Sequence, residues 1–120
     1  MNFMVQQEIK IAVLTAEERL DTVQAALDRM ATAMYEGCVG LIVSKECLPE
    51  DFFRLGTGFA GEVLQKFSNY NMKIAVTGDF SGYKSQSLRD FIYECNQGNR
   101  VFFKASAEEG MAALIQAAAG

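Results

Sequence analysis

Histidine and tryptophan are both absent from this 120-residue chain, and proline occurs once. Without histidine the usual general base is missing, and so are the Ser-His and Cys-His nucleophile pairs. An enzyme here would have to work with carboxylates, lysine, tyrosine or a bound cofactor, and nothing in the sequence names a cofactor. The single proline, beside a hydrophobic content of 50%, argues against disorder. No apolar run approaches the roughly 18 residues of a membrane span, and no basic-then-apolar leader opens the chain. A soluble, cytoplasmic protein with no membrane partner is expected. A basic stripe is also missing: residues 1–60 carry five cations against nine acids, and residues 61–120 six against six, for a net charge of −4. Nucleic acid is therefore not expected as a partner. The three cysteines, Cys38, Cys47 and Cys95, are odd in number, widely spaced and without a C-x-x-C pair. With no histidine to help them, no metal site is expected, and they read as three reduced thiols, at least two of them buried.

What is present is a set of alternating short apolar runs and amphipathic stretches. A chain of this length forms one domain, residues 1–120, and buries roughly two thirds of its unfolded surface, enough for a core without staples. Phe3–Val5 and Ile9–Leu14 read as strands, either as a hairpin turning at residues 6–8 or as one continuous strand. Asp21 is placed to cap a helix running to about Tyr35. Its stripe is Val23, Ala26, Leu27, Met30, Ala31 and Met34, with Gly37 at its end. Val39–Val43 has the composition of a strand buried on both faces. Residues 44–56 are irregular, with Phe52 and Phe53 plugging the core, or else flanking a pocket or a partner surface. Phe59, Val63, Leu64 and Phe67 mark a second helix, with Thr57 as its N-cap. Met72–Thr77 is the next strand. A third helix starts at Ser85 or Ser87, runs through Leu88, Phe91, Ile92 and Cys95, and stops at Asn96 and Gly98. Val101–Lys104 is the last strand, and Ser106-Ala-Glu-Glu109 is a capping box opening the last helix. The order β(β)αβαβαβα predicts an α/β fold with a mostly parallel central sheet and right-handed crossovers.

Residues 51–79 hold the candidate ligand loop. Gly56, Gly58 and Gly61 spell G-x-G-x-x-G, with Asp79 about 20 residues on, as in dinucleotide-binding folds. That motif must leave a strand directly. Here Cys47, Pro49, Glu50 and Asp51 separate it from the strand at Val43, so the plainer reading is glycines that let the helix approach the sheet closely. In an open parallel sheet, ligands bind beyond the carboxyl ends of the strands. Those ends carry Thr15, Ser44, Lys45, Asp79, Ser81 and Ser106, joined by Thr57 and Gly58 at the mouth of the second helix. A phosphate or carboxylate could sit by Thr57. The competing reading is structural, with Thr57 and Ser106 as caps and Asp79 bonding amides in the turn Gly78–Gly82. Glu62 and Asp79 are the acids of the central segment that could share this edge.

Three blocks carry a resemblance. The first is Asp51-Phe-Phe, Leu55, Thr57-Gly, Ala60-Gly-Glu, Leu64-Gln-Lys-Phe and Asn69-Tyr70. The second is Lys73-Ile-Ala with Gly78-Asp-Phe80. The third is Ser85, Ser87-Leu-Arg-Asp-Phe-Ile-Tyr-Glu94, Asn96 and Gly98. Together they resemble an uncharacterised bacterial family catalogued as domain of unknown function 4180, a resemblance that covers nearly the whole chain and implies no particular reaction. More distantly the layout is similar to STAS-type domains, the fold of anti-sigma-factor antagonists and sulfate-transporter tails. Those domains have an N-terminal strand pair followed by βα units. Their regulatory phosphorylation site is a serine or threonine at the start of the helix after a central strand. The resemblance implies that Thr57 is the corresponding phosphoacceptor, although Arg54-Leu-Gly-Thr-Gly58 stands where those domains have Asp-Ser-Ser-Gly.

The expectation is a non-enzymatic regulatory or protein-interaction domain of STAS-like type. It would dock a protein partner, or a second copy of itself as a homodimer, through Thr57, Gly58, Phe59, Glu62, Asp79, Ser81 and Tyr83. The alternative is a protein or enzyme that binds a small anionic molecule at the carboxyl edge near Thr57 and Asp79.

Overall fold

The computed structural model describes residues 1–120. Five strands and four helices follow in the order β1 (Asn2–Gln6), β2 (Ile9–Val13), α1 (Val23–Tyr35), β3 (Gly40–Ser44), α2 (Phe59–Asn69), β4 (Lys73–Thr77), α3 (Gln86–Gln97), β5 (Val101–Lys104) and α4 (Ala107–Ala119). The N-terminus takes the hairpin reading. Gln7 and Glu8 sit at φ of 54° and 65°, the two left-handed positions of a two-residue turn whose twist suits a hairpin. β1 is then antiparallel to β2, while β2, β3, β4 and β5 are parallel neighbours.

The strands lie side by side in chain order, β1-β2-β3-β4-β5. Each right-handed crossover therefore steps the same way across the sheet, and this puts α1, α2 and α3 on one face. Strand residues alternate between the faces. Leu41, Val43, Ile74, Val76 and Phe103 belong to the core under those three helices. Ile11, Ile42, Ala75 and Phe102 belong to a smaller core under α4, with Met111, Leu114 and Ile115. α4 approaches the sheet closely at Gly110, where a β-carbon would stand 3.2 Å from that of Ala75.

Several local expectations change. Thr22, not Asp21, caps α1 by accepting from the Ala25 amide at 3.0 Å. Asp21 instead pairs with Arg19 at 2.9 Å. The buried line of α1 is Ala26, Met30 and Ala33, while Ala31 and Met34 are exposed. The stripe has the right period but is turned away from the core: it takes in the exposed Ala31 and Met34 and leaves out the buried Ala33, while Val23 and Leu27 do pack against the core. The glycines of residues 56–61 do not bring a helix onto the sheet: a β-carbon on Gly56, Gly58 or Gly61 would meet nothing within 4 Å. Gly58, at φ 79°, is the left-handed break between a 3-10 turn and α2. Ser85 caps α3, accepting from the Leu88 amide at 3.2 Å.

Asn96 does not stop α3. It lies inside the helix, and its side-chain amide clasps β5. Its oxygen accepts from the Phe103 amide at 2.9 Å, and its nitrogen donates to the Phe103 carbonyl at 3.2 Å. Ser106 caps α4 by accepting from the Glu109 amide at 3.2 Å, while the Glu109 carboxylate returns to the Ser106 hydroxyl at 3.4 Å.

Candidate functional site

At the carboxyl edge of the sheet, residues 45–57 fold as three short 3-10 turns, Lys45–Cys47, Glu50–Phe53 and Leu55–Thr57. Proline at position 49 and the adjacent acids suit such turns and not a continuing strand. The turns drive Phe52 and Phe53 inward, to 1% and 7% exposure. There they join a network of rings. Phe52 meets Phe53, Phe59 and Phe103 at centroid distances of 5.1, 6.4 and 6.4 Å, and Phe53 stacks on Tyr83 at 5.1 Å. Phe80 bridges Tyr83 and Phe103 at 6.5 and 5.4 Å. Of the two readings of Phe52 and Phe53, the core plug holds for Phe52. Phe53 also borders an open hollow of about 280 Å³ with Lys45, Glu46, Leu48, Glu50 and Tyr83.

Lys45 ties this edge together. Its ammonium donates to the Asp79 carbonyl at 2.5 Å and lies 5.9 and 5.4 Å from the Phe80 and Tyr83 ring centroids. Its stem lies over Gly78, where a β-carbon would come within 2.8 Å of it. The Asp79 carboxylate accepts from the Ser81 hydroxyl at 2.6 Å and the Ser81 amide at 2.9 Å, which is the expected turn. Those two donors hold its pKa below the ordinary carboxylate value. The Ser44 hydroxyl bonds the Glu46 carboxylate and lowers its pKa in the same way. Burial, then the nearby Glu50 and Glu46 carboxylates, push the Tyr83 phenol up.

Thr57 is exposed, and its hydroxyl is occupied. The oxygen lies 2.7 Å from the Asp51 carbonyl and 2.9 Å from the Arg54 carbonyl, and it accepts from the Phe59 amide at 3.2 Å. It thus closes the third turn as well as covering one free amide of α2. Gly58, not Thr57, occupies the cap position of that helix. Fourteen residues separate the end of β3 from α2, so Thr57 does not stand directly after a strand.

The structure brings Asp79, Ser81 and Tyr83 into one loop with Lys45. Thr57, Gly58 and Phe59 lie on the neighbouring turn and helix start, linked to that loop through the rings of Phe52 and Phe53. Glu62 is exposed on α2, and the hollows beside Gly98, Ser68, Met34, Lys45 and Gln7 are not lined by Glu62, Thr57 or Asp79. Sequence reading missed Glu46, Leu48 and Glu50 as lining residues. The available signal was their position next to Lys45 at a strand's carboxyl end. Arg100 is held by the Ser68 hydroxyl, and Arg89 donates to Gln86 at 3.1 Å. No helix is long and apolar enough to cross a membrane.

A family model described as Domain of unknown function (DUF4180) matches residues 6–114, a span that takes in all three blocks of the resemblance. No curated protein and no solved structure matches the chain.

Proposed function

The chain belongs to the family described as Domain of unknown function (DUF4180), and on that premise we propose that it is a non-enzymatic protein-interaction domain. It docks a protein partner at the carboxyl edge of the sheet, around the half-buried rings of Tyr83 and Phe80 and the exposed acids Glu46 and Glu50. The observation that carries this reading is the strand order. Ligand crevices in open α/β sheets form where successive crossovers turn in opposite directions. Here the order never reverses, and the aromatic turns 45–57 fill the edge.

The polar groups of the edge are also committed to one another: Thr57 to carbonyls, Asp79 to Ser81, Ser44 to Glu46 and Lys45 to Asp79. What faces outward is carboxylate, from Glu46, Glu50 and Asp79, beside the half-buried rings of Phe80 and Tyr83. Such a surface suits a partner that presents apolar and basic side chains. The wider proposal is a regulatory domain of the STAS-like kind in a bacterial cytoplasm. A phosphate on Thr57 would remove the proton it donates to the 51–54 carbonyls and loosen the turn beside the docking surface. The anionic-ligand alternative has less support, because the acids Glu46, Glu50 and Asp79 crowd the same edge.

A photo-crosslinking amino acid tests the reading when placed at Tyr83 and, as a control, at Tyr93, which is 67% exposed on α3. The expected result is a discrete protein adduct at position 83 and not at 93, abolished by Glu46→Lys with Glu50→Lys. Equal capture at the two sites, or capture indifferent to the charge reversal, rejects the proposal. A small molecule retained in native mass spectrometry would favour the alternative.

A further inference from the structure

The two edges of the sheet are finished differently. At β5 the outward-facing backbones are those of Val101 and Phe103, since the Arg100 and Lys104 carbonyls accept from Ile74 and Gly78 on the β4 side. Asn96 occupies both outward groups of Phe103 with its amide, as a neighbouring strand would. At β1 nothing takes that role. On β2, the Lys10 carbonyl accepts from Val39 and the Leu14 amide donates to Ile42, so residues 10, 12 and 14 turn their backbones toward β3. Ile9, Ile11 and Val13 therefore face β1, where they pair with Gln6, Met4 and Asn2. In an antiparallel ladder the alternate residues point the other way. The amides and carbonyls of Phe3 and Val5 thus lie along the open edge.

That edge carries none of the devices that blunt strand addition. Asn2–Gln6 contains no charge and no proline, and its five-pair register with β2 is unbroken by a bulge. Its side chains are apolar and exposed: Phe3 at 39%, Met4 at 49% and Val5 at 66%.

We propose that β1 pairs antiparallel with β1 of a second copy of this chain, about a two-fold axis through Met4, joining two sheets into one of ten strands. The sequence is self-complementary in that register. Phe3 lies opposite Val5 of the partner and exchanges two hydrogen bonds with it, and the symmetric pair supplies two more. All four outward-facing groups of each strand are then used. Asn2 meets Gln6, amide against amide, and Met4 meets itself at the axis. A two-fold perpendicular to the sheet keeps the faces matched. Phe3 and Val5 share the three-helix side with Ala12, and Met4 shares the α4 side with Ile11. Phe3 already has Lys10 above its ring, at 4.8 Å, and Lys10 is itself held by Glu36 at 3.9 Å. No unpaired charge is therefore brought to the seam. Other registers match less well. Centring the pair on Val5 places Phe3 opposite Gln7, which leaves the extended conformation at φ 54°. A five-residue edge buries well under the roughly 1,200 Å² of a standard interface, so the dimer is weak and concentration-dependent.

Sedimentation velocity across loadings from about 1 μM to about 1 mM reads the association directly. Wild type is expected to move from monomer to dimer in that range. Val5→Lys, whose side chain and backbone both lie on the seam, is expected to raise the dissociation constant about tenfold or more while leaving the circular-dichroism melt in place. Register is read by crosslinking in a Cys95→Ser background. Met4→Cys puts two thiols in a non-hydrogen-bonded pair with Cα atoms about 4.5 Å apart, within disulfide reach. Oxidation should give a symmetric covalent dimer from Met4→Cys and much less from Val5→Cys. Native thiols interfere little, since Cys38 and Cys47 are buried. A monomer at every loading overturns the proposal. So does a dimer indifferent to Val5→Lys, or crosslinking at position 4 no faster than from an exposed Tyr93→Cys control.

Discussion

One face of the sheet lies under three helices and a core of 21 buried residues, with rings from Phe52 to Phe103 packed edge and face; the other lies under α4 alone, with seven. The three-helix face is filled by volume, using long branched and aromatic side chains. The α4 face is filled by approach, with Ala75 and Gly110 letting a single helix settle close to the strands. The same β-strands feed both, so the difference arises from connectivity. A strand order that advances one way sends every crossover helix to one side. The second face must then be closed by whatever follows the last strand. The candidate site inherits this asymmetry. The aromatic turns at the carboxyl edge extend the thick core outward, and the proposed docking surface is its rim.

The sharpest way to break this comparison is to empty each face in turn. Phe52→Ala is expected to cost roughly 3–5 kcal/mol in urea unfolding, because rings on three sides cannot all collapse into the space. Leu114→Ala on α4 is expected to cost roughly 2–3 kcal/mol, since one helix can settle toward the sheet. An equal or larger loss at Leu114 would mean that the faces carry the same weight.

A finer test uses two helical glycines of opposite setting. Gly110→Val drives a side chain into Ala75 and Thr77 and should destabilise by about 1–3 kcal/mol. Gly61→Ala, on α2 with open space around it, should stabilise by about 0.5–1 kcal/mol through helix propensity. Thermal melts of both variants decide whether close approach is peculiar to α4.

The smallest effect concerns the rim. The Ser81 hydroxyl and amide depress Asp79, so its bonds contribute fully above the unfolded carboxylate value and are lost as pH falls through the lower, folded one. An NMR titration of the Ser81 amide should show a midpoint below the ordinary 3.8, moving up when Ser81→Ala removes the first donor. A midpoint at the ordinary value would detach the Asp79 turn from the ordered rim.

Much of this fold was legible in the chain because local signals agree with the global one. Period-two alternation in Ile9–Val13, the capping serines at 85 and 106, and Val101–Lys104 each fall where their chemistry placed them. The left-handed turn at Gln7 and Glu8 was not legible, because neither residue is glycine or asparagine, the types that usually announce it. The α1 stripe was centred too far toward Ala31 and Met34 and left out Ala33, because period reports which residues share a side and not where on that side the neighbour sits. Asn96 read as a helix stop because asparagine often is one. Its clasp on Phe103 depends on how the end of α3 lies against the edge of β5, which neither periodicity nor residue type reports. At the site, Asp79 and Ser81 were legible as a turn. The convergence of Lys45, Phe53 and Tyr83 was not, since it joins loops 34 residues apart.

The sequential strand order also bears on synthesis. Each strand pairs with the one before it, so βα units can add to a growing sheet as the chain emerges. α4 is the exception, because it touches β2, β3, β4 and β5 together. Until it docks, the strip of Ile11, Ile42, Ala75 and Phe102 stays open to water or to other chains. The nascent domain is thus most aggregation-prone at the last step of its assembly, and slowing the docking of α4 would lengthen the time it spends in need of a chaperone.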